Sequence, residues 1–452
     1  MSRPLGRLLV CAGLALIIGA YGFDVGHGFV KDDFGWILSS RDLANILGAP
    51  TGFFRPVVSL SFALDDALFG IRPLGYGLTN LVLLLACTGT IAGLLTAAGV
   101  RRDVAIAGAI VWTLNFQGIN MAVLWISGRT ALLVTLWSAA CAWAWLRGHR
   151  AASSALAALA MLSKEEAFVL PAVLTIWATI DLIGPGRTGR KWSEVWRRTG
   201  WLWVAAIFGL ALRLQSGAMT PATAPPFYRY QFDVGTLADN TFSYLDRVGT
   251  TLVLALLVFW LLAGAPRLSS SSRARRIAVK GLAWLVLGFA PTVLLPVRSS
   301  LYAVMPSVGV TMILAAIVDD LLPRISPAAL RRATVALTAV FVLLYPVYRV
   351  RNQRYASEAD LSSSIVSELA NIAASQPAGG LVVIRDVRTG GRPTAEQAFG
   401  PGADNAAALM TDRKFRLWIE PPPAELTNAP RPDLSAAIAV LTVESGTVKR
   451  TQ

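Results

Sequence analysis

Apolar runs long enough to cross a bilayer recur from residue 7 to about residue 349, and short basic segments separate many of them. A hydrocarbon core about 30 Å thick needs about 20 mostly apolar residues per helical crossing. That rule predicts spans near 7–22, 77–97, 104–116, 119–146, 151–162, 166–184, 200–216, 248–264, 280–297, 302–322 and 333–349. These make about eleven helices, with 104–116 and 151–162 short for a full crossing. With 54% hydrophobic and only 15% charged residues, the 452-residue chain has too little polar surface for a water-soluble protein. The first run, "LLVCAGLALIIGA" after Arg3 and Arg7, could be a signal-peptide core. It is read here as a retained span because the topology closes with it in place. The expected class is an all-α polytopic membrane protein.

Charge sets the expected orientation. With the N-terminus in the cytoplasm, the inner loops become "GVRRD", "LRGHR", "GRTGRKWSEVWRRTG", "RLSSSSRARRIAVK" and "PRISPAALRRA", all rich in Arg or Lys. The net charge of +14 is thereby explained by topology. Nucleic acid is not an expected partner, since the basic residues alternate with spans instead of forming one patch. The predicted location is a bacterial inner membrane. The first loop, 23–76, and a later one, 217–247, then lie outside. So does the stretch from 351 to 452, where composition turns polar and strand-like runs appear: "GGLVVIRD", "KFRLWIEPP" and "AAIAVLTVES". An amphipathic stretch, "EADLSSSIVSELANIAAS", precedes them and reads as a helix. The expected division is a membrane domain over 1–350 and a small extracytoplasmic α/β domain over 351–452. Cys11, Cys87 and Cys141 sit in apolar runs with no C-x-x-C spacing. His27 and His149 fall on opposite sides of the membrane in this topology, so no metal site is expected from histidine.

Charged residues near the outer span ends are the candidates for chemistry. Asp32 and Asp33 in "KDDFGWILSS" follow the first span, beside Phe34 and Trp36. Further on, "FFRPVVSLSFALDDALFG" carries Arg55, then Pro56 as a first-turn residue, and ends in Asp65 and Asp66. It is predicted to be a helix lying along the interface, the roof of a cavity between membrane and water. Isolated cations stand at outer span ends: Arg129 in "WISGRT", Lys164 in "LSKEEAF" with Glu165, Arg213 in "LALRLQS" and Arg298 in "LPVRSSLY". Snorkelling accounts for many such residues. Several converging on one cavity would instead suit an anionic headgroup such as a phosphate. Asp319 and Asp320, at an inner end, read as structural.

No G-x-x-x-x-G-K-[ST], D-x-D or G-x-S-x-G occurs. The absences argue against ATP-driven transport, a D-x-D nucleotide-sugar enzyme and a serine hydrolase. The stretches "KDDFGWI", "FFRPVVSLSFALDDALFGIRPLGYGLTN", "AVLWISGRTALL", "LSKEEAFVLPAVL" and "RSSLYAVMPSVG" together resemble the GT-C glycosyltransferase superfamily, in the family's order over most of residues 20–310. The likeness is to the O-mannosyltransferase branch that includes transmembrane proteins with tetratricopeptide repeats, without those repeats. Two departures stand out. "NFQGINMAVLWI" lacks the family's His-Pro pair and Glu, and Gly77 stands where a His often follows Gly-Tyr.

The resemblance implies a GT-C-like bundle that transfers a sugar from a polyprenyl-phosphate donor to an acceptor on the outer face. Partners would be the lipid-linked donor, membrane lipid and an acceptor that is protein, lipid or glycan. It implies a carboxylate of the first loop at the transferred sugar: Asp33 as base, with Asp32 orienting it or binding acceptor. Arg55, Lys164 and Arg298 would bind the donor phosphate, with Arg129 and Arg213 as further cations. Glu165, Asp65, Asp66 and Tyr302 would stand on the acceptor side or behind the catalytic groups. No cofactor is certain, and a divalent metal is left open. The alternatives are a lipid-linked glycan transporter, flippase or scaffold, and a ligase or polymerase using a pyrophosphate-linked donor.

Overall fold

The computed structural model describes residues 3–452 apart from 50–51, 183–190, 221–222, 266–270, 377–378, 388–392, 412–414, 424–429, 445 and 452. Parts of two predicted cytoplasmic loops lie outside the described residues. Helices fill the apolar runs. After α1 (Arg3–Ile17), the first loop folds as α2 (Asp32–Ser40), α3 (Leu43–Leu47) and α4 (Pro56–Phe69). Next come α5 (Pro73–Ala97), α6 (Arg102–Thr113), α7 (Asn120–Leu124), α8 (Arg129–Leu146), α9 (Arg150–Met161) and α10 (Leu170–Leu182). The bundle continues with α11 (Lys191–Gln215), α12 (Val234–Leu262), α13 (Ser272–Phe289), α14 (Leu301–Val304), α15 (Ser307–Leu321), α16 (Pro327–Leu343) and α17 (Tyr345–Ser375).

Among the described residues, four helical segments are long and apolar enough to cross a membrane unaided: Pro73–Ala97, Val234–Leu262, Leu301–Arg324 and Pro327–Ser375. Several other predicted spans are shorter helices. The span expected over 119–146 is broken: α7 gives way to a 3-10 turn at Ile126–Gly128 before α8 starts. That break aims backbone N–H groups and Arg129 away from the helix path, and it matters below.

Small residues let the bundle close. A Cβ on Gly281 would meet the Gly309 carbonyl oxygen at 2.6 Å, and one on Gly309 would meet that of Gly281 at 2.4 Å, so α13 and α15 cross backbone to backbone. Gly77 is tighter still, since its Cβ would fall 1.9 Å from the Val25 carbonyl oxygen. Residue 77 therefore has no room for the imidazole that the family resemblance would place there. At the basic end, buried Asp319 accepts from Arg101 at 2.6 Å and Arg273 at 2.7 Å, the structural role expected of it.

In α4, Pro56 starts the helix as expected. Val58, Phe62 and Asp65 face inward, while Leu60, Leu64 and Leu68 form an exposed apolar stripe. A two-sided helix of this kind suits a membrane interface.

The C-terminal strands are β1 (Leu381–Val387), β2 (Arg416–Glu420), β3 (Ala437–Glu444) and β4 (Thr447–Arg450), in the order β2-β1-β3-β4. The first three are parallel and β4 is antiparallel. Helices α18 (Ala395–Phe399) and α19 (Ala403–Thr411) lie between β1 and β2 in sequence. The three anticipated strands are present, and β4 was not anticipated. Helix α17 runs unbroken through residue 350, and Asn352 on it donates to the Ala20 carbonyl at 2.7 Å and to Asp24 at 2.8 Å. One hydrophobic core joins Phe34, Ile37 and Phe62 of the first loop to Leu361, Phe399 and Leu441 of the C-terminal part. The sheet and the first loop are thus packed as one body.

Candidate functional site

Two neighbouring aspartates begin α2 with opposite environments. Asp33 is fully buried. Its Oδ2 accepts from the Val30 N–H at 2.9 Å, and its Oδ1 accepts from the Ser127 N–H at 2.8 Å and from the Ser127 hydroxyl. It therefore staples the first loop to the turn between α7 and α8. Both oxygens are occupied and the residue is 0% exposed, which gives Asp33, expected as the base, a structural role in this structure. Asp32, one residue earlier, is exposed at the helix N-terminus.

Burial pushes the Asp33 carboxyl up to about 6 from 3.8, against the downward pull of the Ser127 and Val30 hydrogen bonds. A carboxyl raised on folding contributes stability that is present below its unfolded value and lost as pH rises through its folded one. Wild type minus Asp33→Asn melting temperature is therefore expected to be largest near pH 4 and smallest above about pH 7. A difference that grows with pH would refute this.

"WISGRT" and "FFRPVVSLSFALDD" form a second interlock beneath the site. The Arg129 side chain is 0% exposed and ion-paired with Asp65 at 2.7 Å. Its Nε donates to Asn80 at 3.1 Å, and its other nitrogens donate to the Ser61 and Tyr76 carbonyls. The guanidinium lies 4.2 Å from the Phe62 ring centroid. Arg129, expected as a phosphate cation, spends its donors inside the protein, and Asp65, expected on the acceptor side, is buried against it. Asp66 pairs with Arg41 at 2.9 Å on an exposed face, apart from this interlock.

Four of the anticipated charged groups do converge. The corner after α9, a 3-10 turn over Glu165–Val169, brings Lys164 and Glu165 against Arg55 at the start of α4. Glu165 accepts from Arg55 at 2.7 Å and from Arg213, at the end of α11, at 2.7 Å. Burial opposes its ionisation, yet the two arginines outweigh that and hold its carboxyl down at about 2. Lys164 is buried, 2.9 Å from Glu166 and 4.7 Å from the Tyr302 ring centroid. Burial lowers its ammonium below the usual lysine range. The second oxygen of Glu166 has no hydrogen-bond partner among the described residues. Three cations facing two carboxylates leave one net positive charge at this corner. Arg298 stands apart at the rim, 43% exposed and paired with Asp239 at 3.0 Å.

Tyr228 connects the cluster to α2. Its ring lies 5.5 Å from that of Phe53, whose face carries the Arg55 guanidinium at 4.1 Å. Burial raises the Tyr228 phenol, Arg55 offsets part of this, and the Asp32 and Glu165 charges push it further up. The loop that carries Tyr228 is held by Met219 N–H to the Gly52 carbonyl at 2.8 Å and Gln231 N–H to the Leu294 carbonyl at 2.8 Å. Sequence reasoning missed Tyr228 and Ser127. The aromatic density of "APPFYRYQF" was the signal for the first, and nothing local marked the second. It also missed Tyr244 and Arg247 of α12, each with a buried polar atom unpartnered among the described residues. Among the described residues, no group of three or more His, Cys, Asp or Glu side chains is placed to hold a metal ion.

No protein-family model matches the sequence, and no curated protein does. Solved structures do match in fold. ArnT from Cupriavidus metallidurans bound to undecaprenyl phosphate superposes with a TM-score of 0.50 at 14% identity, over 92% of this chain and 86% of that one. The Archaeoglobus fulgidus oligosaccharyltransferase in complex with Zn and sulfate matches at 0.53 and 10% identity, over 90% and 62%. The arabinofuranosyltransferase AftD from Mycobacteria matches at 0.54 and 15% identity, over 98% and 35%. The chain thus spans about two thirds or less of the last two proteins. The likeness is one of fold, shared with all three proteins.

Proposed function

We propose that this GT-C chain is a membrane glycosyltransferase that moves a sugar from a polyprenyl-phosphate donor to an acceptor hydroxyl or amine at the outer face of a bacterial inner membrane. One observation carries the reading: a largely buried corner of one net positive charge, Arg55, Arg213 and Lys164 against Glu165 and Glu166. A phosphodiester carries one negative charge, which this corner matches.

In the reaction the acceptor forms a bond to the sugar's anomeric carbon as the bond to the phosphate oxygen breaks. Asp32 takes the acceptor proton, and the lipid leaves as a phosphate monoester with nearly two negative charges. The cations then gain most in the transition state, where this charge develops. Glu165 keeps Arg55 and Arg213 in place before the donor arrives. ArnT, whose structure holds undecaprenyl phosphate, supports a lipid phosphate as the anion.

The test is purified protein with radiolabelled polyprenyl-phosphate sugars and a membrane extract, following release of lipid phosphate. Wild type is expected to release it. Arg55→Met should raise the donor KM about tenfold, the worth of one charge-assisted contact. Donors that bind and are never consumed would favour a lipid-glycan carrier and sink the transferase reading.

A further inference from the structure

Lys31, immediately before the two aspartates, has φ 52° and ψ −123°, a conformation that favours glycine. A lysine held there is over-determined by its surroundings. Its N–H donates to the Ala398 carbonyl at 2.8 Å, at the end of α18. Its ammonium pairs at 2.8 Å with Glu358 of α17, whose side chain is 2% exposed. Glu358 also accepts from Arg354 at 3.0 Å. Just beyond, Phe34 packs on Phe399 with ring centroids 5.9 Å apart, and a Cβ on Gly35 would lie 3.2 Å from the Asn405 side chain of α19. Every one of these partners comes from the C-terminal part, more than 300 residues away in sequence.

We propose that Lys31 is a positioning residue, and that with Glu358 and the Ala398 carbonyl it clamps the turn that presents Asp32, so that the C-terminal part sets the geometry of the reacting end. The inference rests on the transferase reading for its catalytic consequence, but the clamp itself does not depend on it. The strained turn fixes the direction in which α2 starts. Asp33 is tied to the bundle through Ser127, and Lys31 is tied to the C-terminal part, so Asp32 sits between two anchors from segments distant in sequence. Releasing the Lys31 anchor leaves Asp33 buried and Arg55 paired, and lets Asp32 wander.

The experiment uses full-length protein in detergent, with Glu358→Gln, Lys31→Met, the pair combined, and Lys31→Arg, which keeps the charge. Two readouts are taken: amide hydrogen exchange over residues 29–40, and kcat with donor KM. Glu358→Gln and Lys31→Met should each raise exchange about tenfold and lower kcat about tenfold, with donor KM within about twofold. The double variant should be no worse than either single one, because both remove the same contact. Lys31→Arg should stay near wild type in both. Unchanged exchange in the single variants overturns the clamp. Raised exchange with unchanged kcat overturns the positioning role, and so does equal loss in Lys31→Arg. If wild type consumes no donor, the transferase reading fails, and the exchange data still decide the clamp.

Discussion

Asp32→Asn should lose about a thousandfold in turnover, the usual worth of a positioned base, while its melting temperature and donor KM stay near wild type. The exposed position of Asp32 is the reason to expect no loss of stability: the amide is nearly isosteric and replaces no buried group. Asp33→Asn should behave in the opposite sense. Its amide group would confront two N–H donors and a hydroxyl, so the first loop should loosen and stability fall before any direct effect on chemistry. Turnover of both variants beside their melting curves decides the matter. Full activity in folded Asp32→Asn would remove the proposed base.

Arg129→Met is the substitution expected to damage the fold most. It leaves Asp65 buried without its cation, a change that typically costs about 3–5 kcal/mol. It also strips donors from Asn80 and from the Ser61 and Tyr76 carbonyls. Since Asp65→Asn removes the charge that Arg129 neutralises, the double variant should recover part of the loss, and the cycle of melting temperatures measures the coupling. If Arg129→Met melts like wild type but loses donor binding, the residue would be a phosphate ligand after all and the sealed interlock would be misread.

These two cases show how far local sequence reached. The motifs around the site were legible because they carry rare residues in telling places: adjacent aspartates after a span, arginines and a lysine on the acidic side of a positive-inside topology. What could not be read was pairing. Arg129, Arg213, Lys164 and Arg298 looked like uncompensated cations, yet each one meets a carboxylate, at Asp65, Glu165, Glu166 and Asp239 respectively. Three of those pairs join segments more than 45 residues apart, and no periodicity encodes such a meeting. The same gap hid which of Asp32 and Asp33 is buried. Adjacent helical residues point about 100° apart, so one faces the core and the other solvent, and the packing of the Ser127 turn settles which.

Composition and spacing along the chain established the membrane class, the helical bundle and three C-terminal strands, because burial of apolar periodic segments is a local property. Packing settled which charges neutralise each other, that the first loop and the C-terminal sheet share one core, and which of the two aspartates is buried. Those outcomes depend on long-range contacts, where a buried charge must find its partner or not be buried at all.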